Sequence, residues 1–232
     1  MEQLILQTTN NTMKKVGIFN FAGITTVSVL VLGFILATSM SACKNEQPFD
    51  EKSIVVEDGS TAEAVDLGLS VKWASHNVGA TKPEDYGTYF GWGDTTGTKT
   101  SQNNDEYQHA NPPKNICGTE YDAAHVLWGG SWRMPTKEQA QELVDDCGWQ
   151  ETTSNGVRGF RVTGKNGNSI FLAAGGGRDG TSILYTVVGA DFRTGDVSDA
   201  DGKAWCFTFY NGNYYVDDLW RHYGFAIRPV TD

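Results

Sequence analysis

The side chains able to carry chemistry are few and scattered. The four histidines are His76, His109, His125 and His222. No two of them stand at i, i+4 with a carboxylate between, so the helix-borne zinc pattern of a metalloprotease is absent. No G-x-S-x-G turn presents a serine nucleophile, and no phosphate-cradling loop occurs. Cys117, Cys147 and Cys206 are far apart in sequence, with no C-x-x-C spacing to poise a thiolate beside a partner. Asp196, Asp199, Asp201 and Gly202 form an acidic loop with hard oxygen donors. Asp199 and Asp201 are its candidate calcium ligands. The loop lacks the twelve-residue spacing and closing glutamate of a full calcium loop, and a solvated turn is the simpler reading.

The densest run of recognition chemistry is Tyr210 to Tyr223. Within it fall Asn211, Asn213, Tyr214, Tyr215, Asp217, Asp218, Trp220, Arg221 and His222. Rigid aromatic area beside adaptable amides and carboxylates is the composition of paratopes and interface hot spots. Asn211, Asn213, Tyr214, Asp217, Asp218, Trp220 and His222 are therefore the candidate ligand-binding residues. Strand periodicity requires about half of the run to face away from the core. Tyr215, Trp220 and Tyr223 read more simply as core aromatics. A pocket around Trp92, Asp94, Arg178 and Asp179 is the alternative, enzymatic site.

The elements that must position these residues are legible in part. Thr136 and Gln139 have the T-x-x-Q spacing of a capping box, and Ala140, Leu143, Val144 and Cys147 follow as one apolar helical stripe that Gly148 stops. A short helix starts at Asp122 as its N-cap. Phe160–Thr163 and Ser169–Leu172 alternate as a hairpin joined through Lys165–Asn168. A second hairpin runs Ala204–Tyr210, turns at Asn211-Gly212 and returns through Asn213–Val216. One strand is expected near Val71–Trp73 and a last one at Phe225–Arg228. Two short helices with antiparallel hairpins and long loops make an α+β class. Cys147 and Cys206 read as small core residues, and a Cys117–Cys147 bridge stays open as an option, since an odd number of cysteines leaves one thiol unpaired.

Gly130-Ser131-Trp132-Arg133-Met134-Pro135-Thr136-Lys137-Glu138 resembles the G-x-R-L-P-T-x-x-E signature of the formylglycine-generating-enzyme branch of C-type-lectin-like folds. Val65–Ser75, Asn77–Ala80, Tyr86–Asp94, Asp122–His125, Gly167–Leu172 and Tyr223–Val230 are similar, in order, to the major paralogous domain family first named in Fibrobacter. The resemblance implies a single C-type-lectin-like domain over residues 63–232, with paired chain ends and a functional loop-rich half. Trp128, Trp132, Arg133, Pro135 and Arg228 are then fold-defining, the first three as a hub locking the main helix onto the sheet. The redox cysteine pair of the formylglycine-generating enzymes has no counterpart here, nor have the calcium motifs of true C-type lectins. The 205–230 segment is also similar in composition to the variable proteins of diversity-generating retroelements.

Lys14 and Lys15 precede an apolar run, Val16–Leu36, that ends in Ser39-Met40-Ser41-Ala42-Cys43. A cleaved signal over residues 1–42 fits this better than a membrane span, and Met13 is a second candidate start. The residues before Cys43 resemble the lipobox of bacterial lipoproteins, which implies lipidation of Cys43, a membrane anchor, and an outer-membrane or cell-surface location. Residues 43–62 form a polar tether. Setting residues 1–42 aside removes two lysines and one glutamate and takes the formal charge from −10 to −11, which opposes nucleic-acid binding. The expected function is a non-catalytic, surface-anchored module that binds protein or glycan, without a cofactor unless calcium. Its alternatives are an enzyme of the same superfamily or a diversified retroelement protein.

Overall fold

Thr136 ends an extended segment and starts a helix. Its hydroxyl accepts from the Gln139 amide at 3.2 Å, while the Gln139 carboxamide accepts from the Thr136 amide at 3.0 Å. This reciprocal box satisfies two first-turn donors. In the computed structural model, residues 62–107 and 113–232 are described. The signal, Cys43, the tether up to residue 61, and His109 lie outside them.

In chain order the elements are β1 (Ala64–Val65), β2 (Lys72–Ala74), α1 (Ala123–Trp128), α2 (Lys137–Asp146), β3 (Gly148–Ser154), β4 (Val157–Thr163), β5 (Ser169–Ala173), β6 (Gly177–Asp179), β7 (Ser182–Leu184), β8 (Gly189–Val197), β9 (Lys203–Tyr210), β10 (Asn213–Trp220) and β11 (Val230–Thr231). Every paired strand is antiparallel. The described residues therefore form an α+β fold of small antiparallel sheets with two helices. β2 lies between β1 and β11, which ties the two ends of the domain together. β3–β4–β5 and β10–β9–β8 are the larger sheets, and β6–β7 is a separate hairpin.

α2 packs on β9 and β10 and inserts Ala140 and Leu143 into a core with Trp73, Val162, Leu172, Phe192, Phe207 and Phe209. A second cluster gathers Phe90, Trp92, Ile116, Trp128 and Met134. Trp128 meets Trp132 edge-on at 5.4 Å. Arg133 exchanges two backbone hydrogen bonds with Val230 and donates from Nη1 to Gln139 at 3.0 Å, so the Trp128–Pro135 run touches both the cap of α2 and the terminal strand.

Phe225–Arg228 is not a regular strand: Gly224, Phe225 and Ala226 bridge singly to Arg178, Phe90 and Phe192, and β11 begins only after Pro229. A segment pairing with a different partner at each residue cannot build a ladder. β3 starts at Gly148, so the glycine that stops the helix also opens a strand. β8 was not expected at all. Cys117, Cys147 and Cys206 are free thiols.

Candidate binding pocket

The β9–β10 hairpin turns at Asn211 and Gly212, both left-handed with φ of 49° and 81°. This is the primed turn that an Asn-Gly pair favours. It sets the register Phe209↔Tyr214, Phe207↔Val216 and Cys206↔Asp217, and β8 adds Asp191↔Thr208 and Arg193↔Cys206. Alternation then assigns two faces. One carries Phe192, Phe207, Phe209, Tyr214 and Val216 toward α2 and the core. The other carries Asp191, Arg193, Cys206, Thr208, Tyr215 and Asp217. Arg178, Leu184, Tyr185, Tyr223 and Phe225 face it across a cavity of about 300 Å³.

Asp191, at the floor, is 3% exposed and accepts a hydrogen bond from the Tyr185 hydroxyl. Burial pushes its carboxyl above the usual carboxylate range, against the lowering by Thr208 and Tyr185. Burial and then the Asp191 charge raise the Tyr185 phenol in turn. Tyr185 holds this position from a left-handed backbone, φ 43°, and Val187 follows at φ 66°. Such conformations cost about 1–3 kcal/mol each and tend to gather at ligand sites. Gly177 is required in the wall, because a Cβ there would lie 2.4 Å from the Tyr185 oxygen.

Arg193 lies beside the floor, fully buried, its guanidinium 4.2 Å from the centre of the Phe225 ring. Nη2 donates to the carbonyls of Trp220 at 2.7 Å and Tyr223 at 2.5 Å, while Nε and Nη1 have no acceptor. Burial lowers its pKa to about 10. Arg193 thus fixes the 220–223 turn that forms one side of the cavity. Arg178 at the rim is committed to backbone, with Nη1 on Gly97 O at 3.0 Å and Nη2 on Lys99 O at 2.6 Å.

The strand divides the expected ligand residues. Asp217 lines the cavity. Tyr214 lies on the opposite face, its ring stacked on Trp149 at 4.7 Å and 9°. Asp218 is bound by Ser198 and by Lys203 Nζ at 2.9 Å, and these hydrogen bonds, Ser198 first, hold its carboxyl low. His222 is clamped by Asn104 at 2.8 Å and lies 3.6 Å from Asp179, and burial lowers its pKa. Trp220 is exposed beside Lys203, and Asn211 and Asn213 are exposed at the hairpin tip. Tyr215, read from sequence as core, is 43% exposed at the cavity. Of the enzymatic alternative only Arg178 reaches this cavity. Asp94 organises its own turn through Thr96 and Lys99, and Trp92 stacks with Arg221. Asp199 and Asp201 are exposed, while both Asp196 oxygens are occupied by Asn115 and Lys137 at 2.6 Å. Among the described residues no group of three acidic, His or Cys side chains could hold a metal ion.

No family model matches the chain, and neither does any curated protein or solved structure.
Function must therefore be argued from the cavity itself. Sequence missed Tyr185, Asp191, Arg193 and Thr208, which are drawn together from the 185–188 loop, β8 and β9 with no shared local pattern.

Tyr214→Ala tests the division of faces. Loss of the Trp149 stack is expected to cost about 1–2 kcal/mol, an aromatic pair plus partial burial, read as a lower urea midpoint at constant slope. An unchanged midpoint would contradict the structural role.

Proposed function

We propose that this chain is a non-catalytic, surface-anchored binding module of the C-type-lectin-like, major paralogous domain type, recognising a protein or glycan ligand through its C-terminal face. The observation that carries the reading is the aromatic cavity between β7 and the β8–β10 sheet, rimmed by exposed Tyr210 and Tyr215 over a buried carboxylate. A concave, mostly apolar site with a few placed polar groups is the usual form of a ligand pocket. The pairing of β2 with both β1 and β11 supports the fold assignment, since that fold joins its chain ends. The Trp128–Pro135 run, packed against α1 and the terminal strand, supports it further. The lipobox-like Cys43 supports anchoring at the outer membrane or cell surface.

The full chain, solubilised in mild detergent, should give hits on a combined glycan and protein array. Tyr215→Ala and Asp217→Ala should weaken those hits at least tenfold, while Tyr214→Ala leaves them intact. Hits indifferent to both cavity substitutions would place recognition elsewhere on the protein.

A further inference from the structure

We propose that the cavity receives an alkylammonium group on an apolar stem, the lysine side chain of a protein ligand, with its head at Asp191 and Asp217. This deepens the binding reading above and rests on it. Few polar groups of the lining remain available to a guest. The Tyr185 hydroxyl is spent on Asp191, the Thr208 hydroxyl on Ala190 O at 3.2 Å, and both Arg178 Nη groups on the carbonyls of Gly97 and Lys99. Beyond three phenols, what the lining still offers a guest is the two carboxylates. Arg193, the cation beside Asp191, is fully buried and not part of the lining, so the acceptors that face a guest call for a ligand that donates, and a cation satisfies them most strongly.

The walls agree with that choice. Leu184, Leu219 and Phe225 enclose a stem, and Tyr185, Tyr210, Tyr215 and Tyr223 surround the head. Aromatic faces attract an ammonium, more strongly where water is excluded. A pyranose suits the cavity less well, because its many hydroxyls would meet mostly carbon, and buried unpaired hydroxyls are costly. A formal charge of −10 favours a basic partner at longer range. The surface beside the mouth selects a polypeptide over a free amine. Leu184 and Tyr210 in the lining are 39% and 43% exposed, so the apolar walls run out to the protein surface, where a flanking side chain can rest. The charged and titratable groups around the head are Arg178 on β6, Tyr185 on its loop, Asp191 and Arg193 on β8, Cys206 and Tyr210 on β9, Tyr215 and Asp217 on β10, and Tyr223 on the following turn.

The test is NMR titration of the full chain, following the tyrosine ring signals, with four probes: an acetylated lysine methylamide, its Nε-acetyl counterpart, a lysine-centred pentapeptide with flanking leucines, and pentylamine. Methyl glycosides form a fifth arm. The lysine amide should shift the Tyr210 and Tyr215 signals and bind at least tenfold more tightly than the neutral Nε-acetyl compound. Asp217→Asn should erase that preference, and the pentapeptide should exceed pentylamine at least tenfold. Equal binding of charged and neutral probes, or glycoside binding with no lysine binding, would overturn the ammonium assignment while leaving the binding module standing. Pentylamine matching the pentapeptide would overturn the protein source. If no probe moves the cavity signals while array hits ignore Tyr215→Ala and Asp217→Ala, the cavity reading itself fails.

Discussion

Replacing Arg228 with alanine is expected to destabilise the protein by about 3–5 kcal/mol, because its guanidinium is the shared donor for segments far apart in the chain. It is fully buried and donates from Nε to Asn77 Oδ1 at 2.8 Å, from Nη1 to the carbonyls of Ala74 and Ser75 at 3.0 Å, and from Nη2 to Phe171 O at 2.9 Å. No carboxylate is among these partners. Burial pulls the side chain's pKa down to about 9, and the converging oxygens oppose this by favouring the cation. Truncation removes the donor from all four acceptors and leaves Asn77 Oδ1 and Ala74 O buried without it, so the loss is a large share of the 5–15 kcal/mol typical of a domain. Arg228→Lys should recover only part of it, because a single ammonium lacks the planar fork that spans these positions. Urea unfolding of the three proteins checks the order wild type, lysine, alanine. An alanine variant within 1 kcal/mol of wild type would mean the acceptors find other donors.

What could be read from sequence tracks how local the cause is. The α2 cap needs only Thr136 and Gln139, and the β9–β10 turn needs only Asn211-Gly212, so both follow from a few adjacent residues. β8 reads Gly-Ala-Asp-Phe-Arg-Thr-Gly-Asp-Val, with glycines and charges where an apolar strand would have valines. It is buried all the same, because Asp191 meets Tyr185 and Arg193 meets the 220–223 carbonyls. Neither partner is visible from the strand itself. The same reasoning explains the candidate site. Composition marks 210–223 as one candidate segment, whereas strand alternation sends Tyr214 and Asp218 to one side and Tyr215 and Asp217 to the other. The opposing wall is supplied by Arg178, Leu184 and Tyr185, so half of the cavity lies in a stretch with no binding signature of its own.

The cavity also has a consistent mechanical logic. Its floor and one wall are rigid: β8–β10 rest on the core, and Arg193 pins the 220–223 turn. The other wall is formed by Arg178, Leu184 and Tyr185, and Tyr185 holds a left-handed backbone, as does Val187 after it. Backbone strain thus lies on one side of the site, opposite the sheet.

Asp122→Ala is expected to cost about 3–5 kcal/mol as well, for a reason that N-cap statistics alone understate. A lost cap is worth about 1 kcal/mol. Asp122, however, is fully buried and accepts four backbone amides: Oδ1 takes Ala124 N at 2.9 Å and His125 N at 3.1 Å, and Oδ2 takes Gly118 N and Met134 N, both at 2.8 Å. One carboxylate therefore caps α1, closes the preceding turn and fastens the Trp128–Pro135 run against the helix. Burial pushes its carboxyl upward while all four amides pull it down. Asp122→Asn separates capping from fastening. The asparagine can still cap α1 with its single oxygen, but its NH2 then faces the Gly118 and Met134 amides, donor against donor. It should therefore recover about 1 kcal/mol of the alanine loss and no more. Hydrogen exchange locates the effect: protection at Gly118 and Met134 should collapse in both variants, with Ala124 and His125 spared in the asparagine protein. Retained protection at Met134 in Asp122→Asn would show that the run is held by Trp132 and Arg133 without the carboxylate.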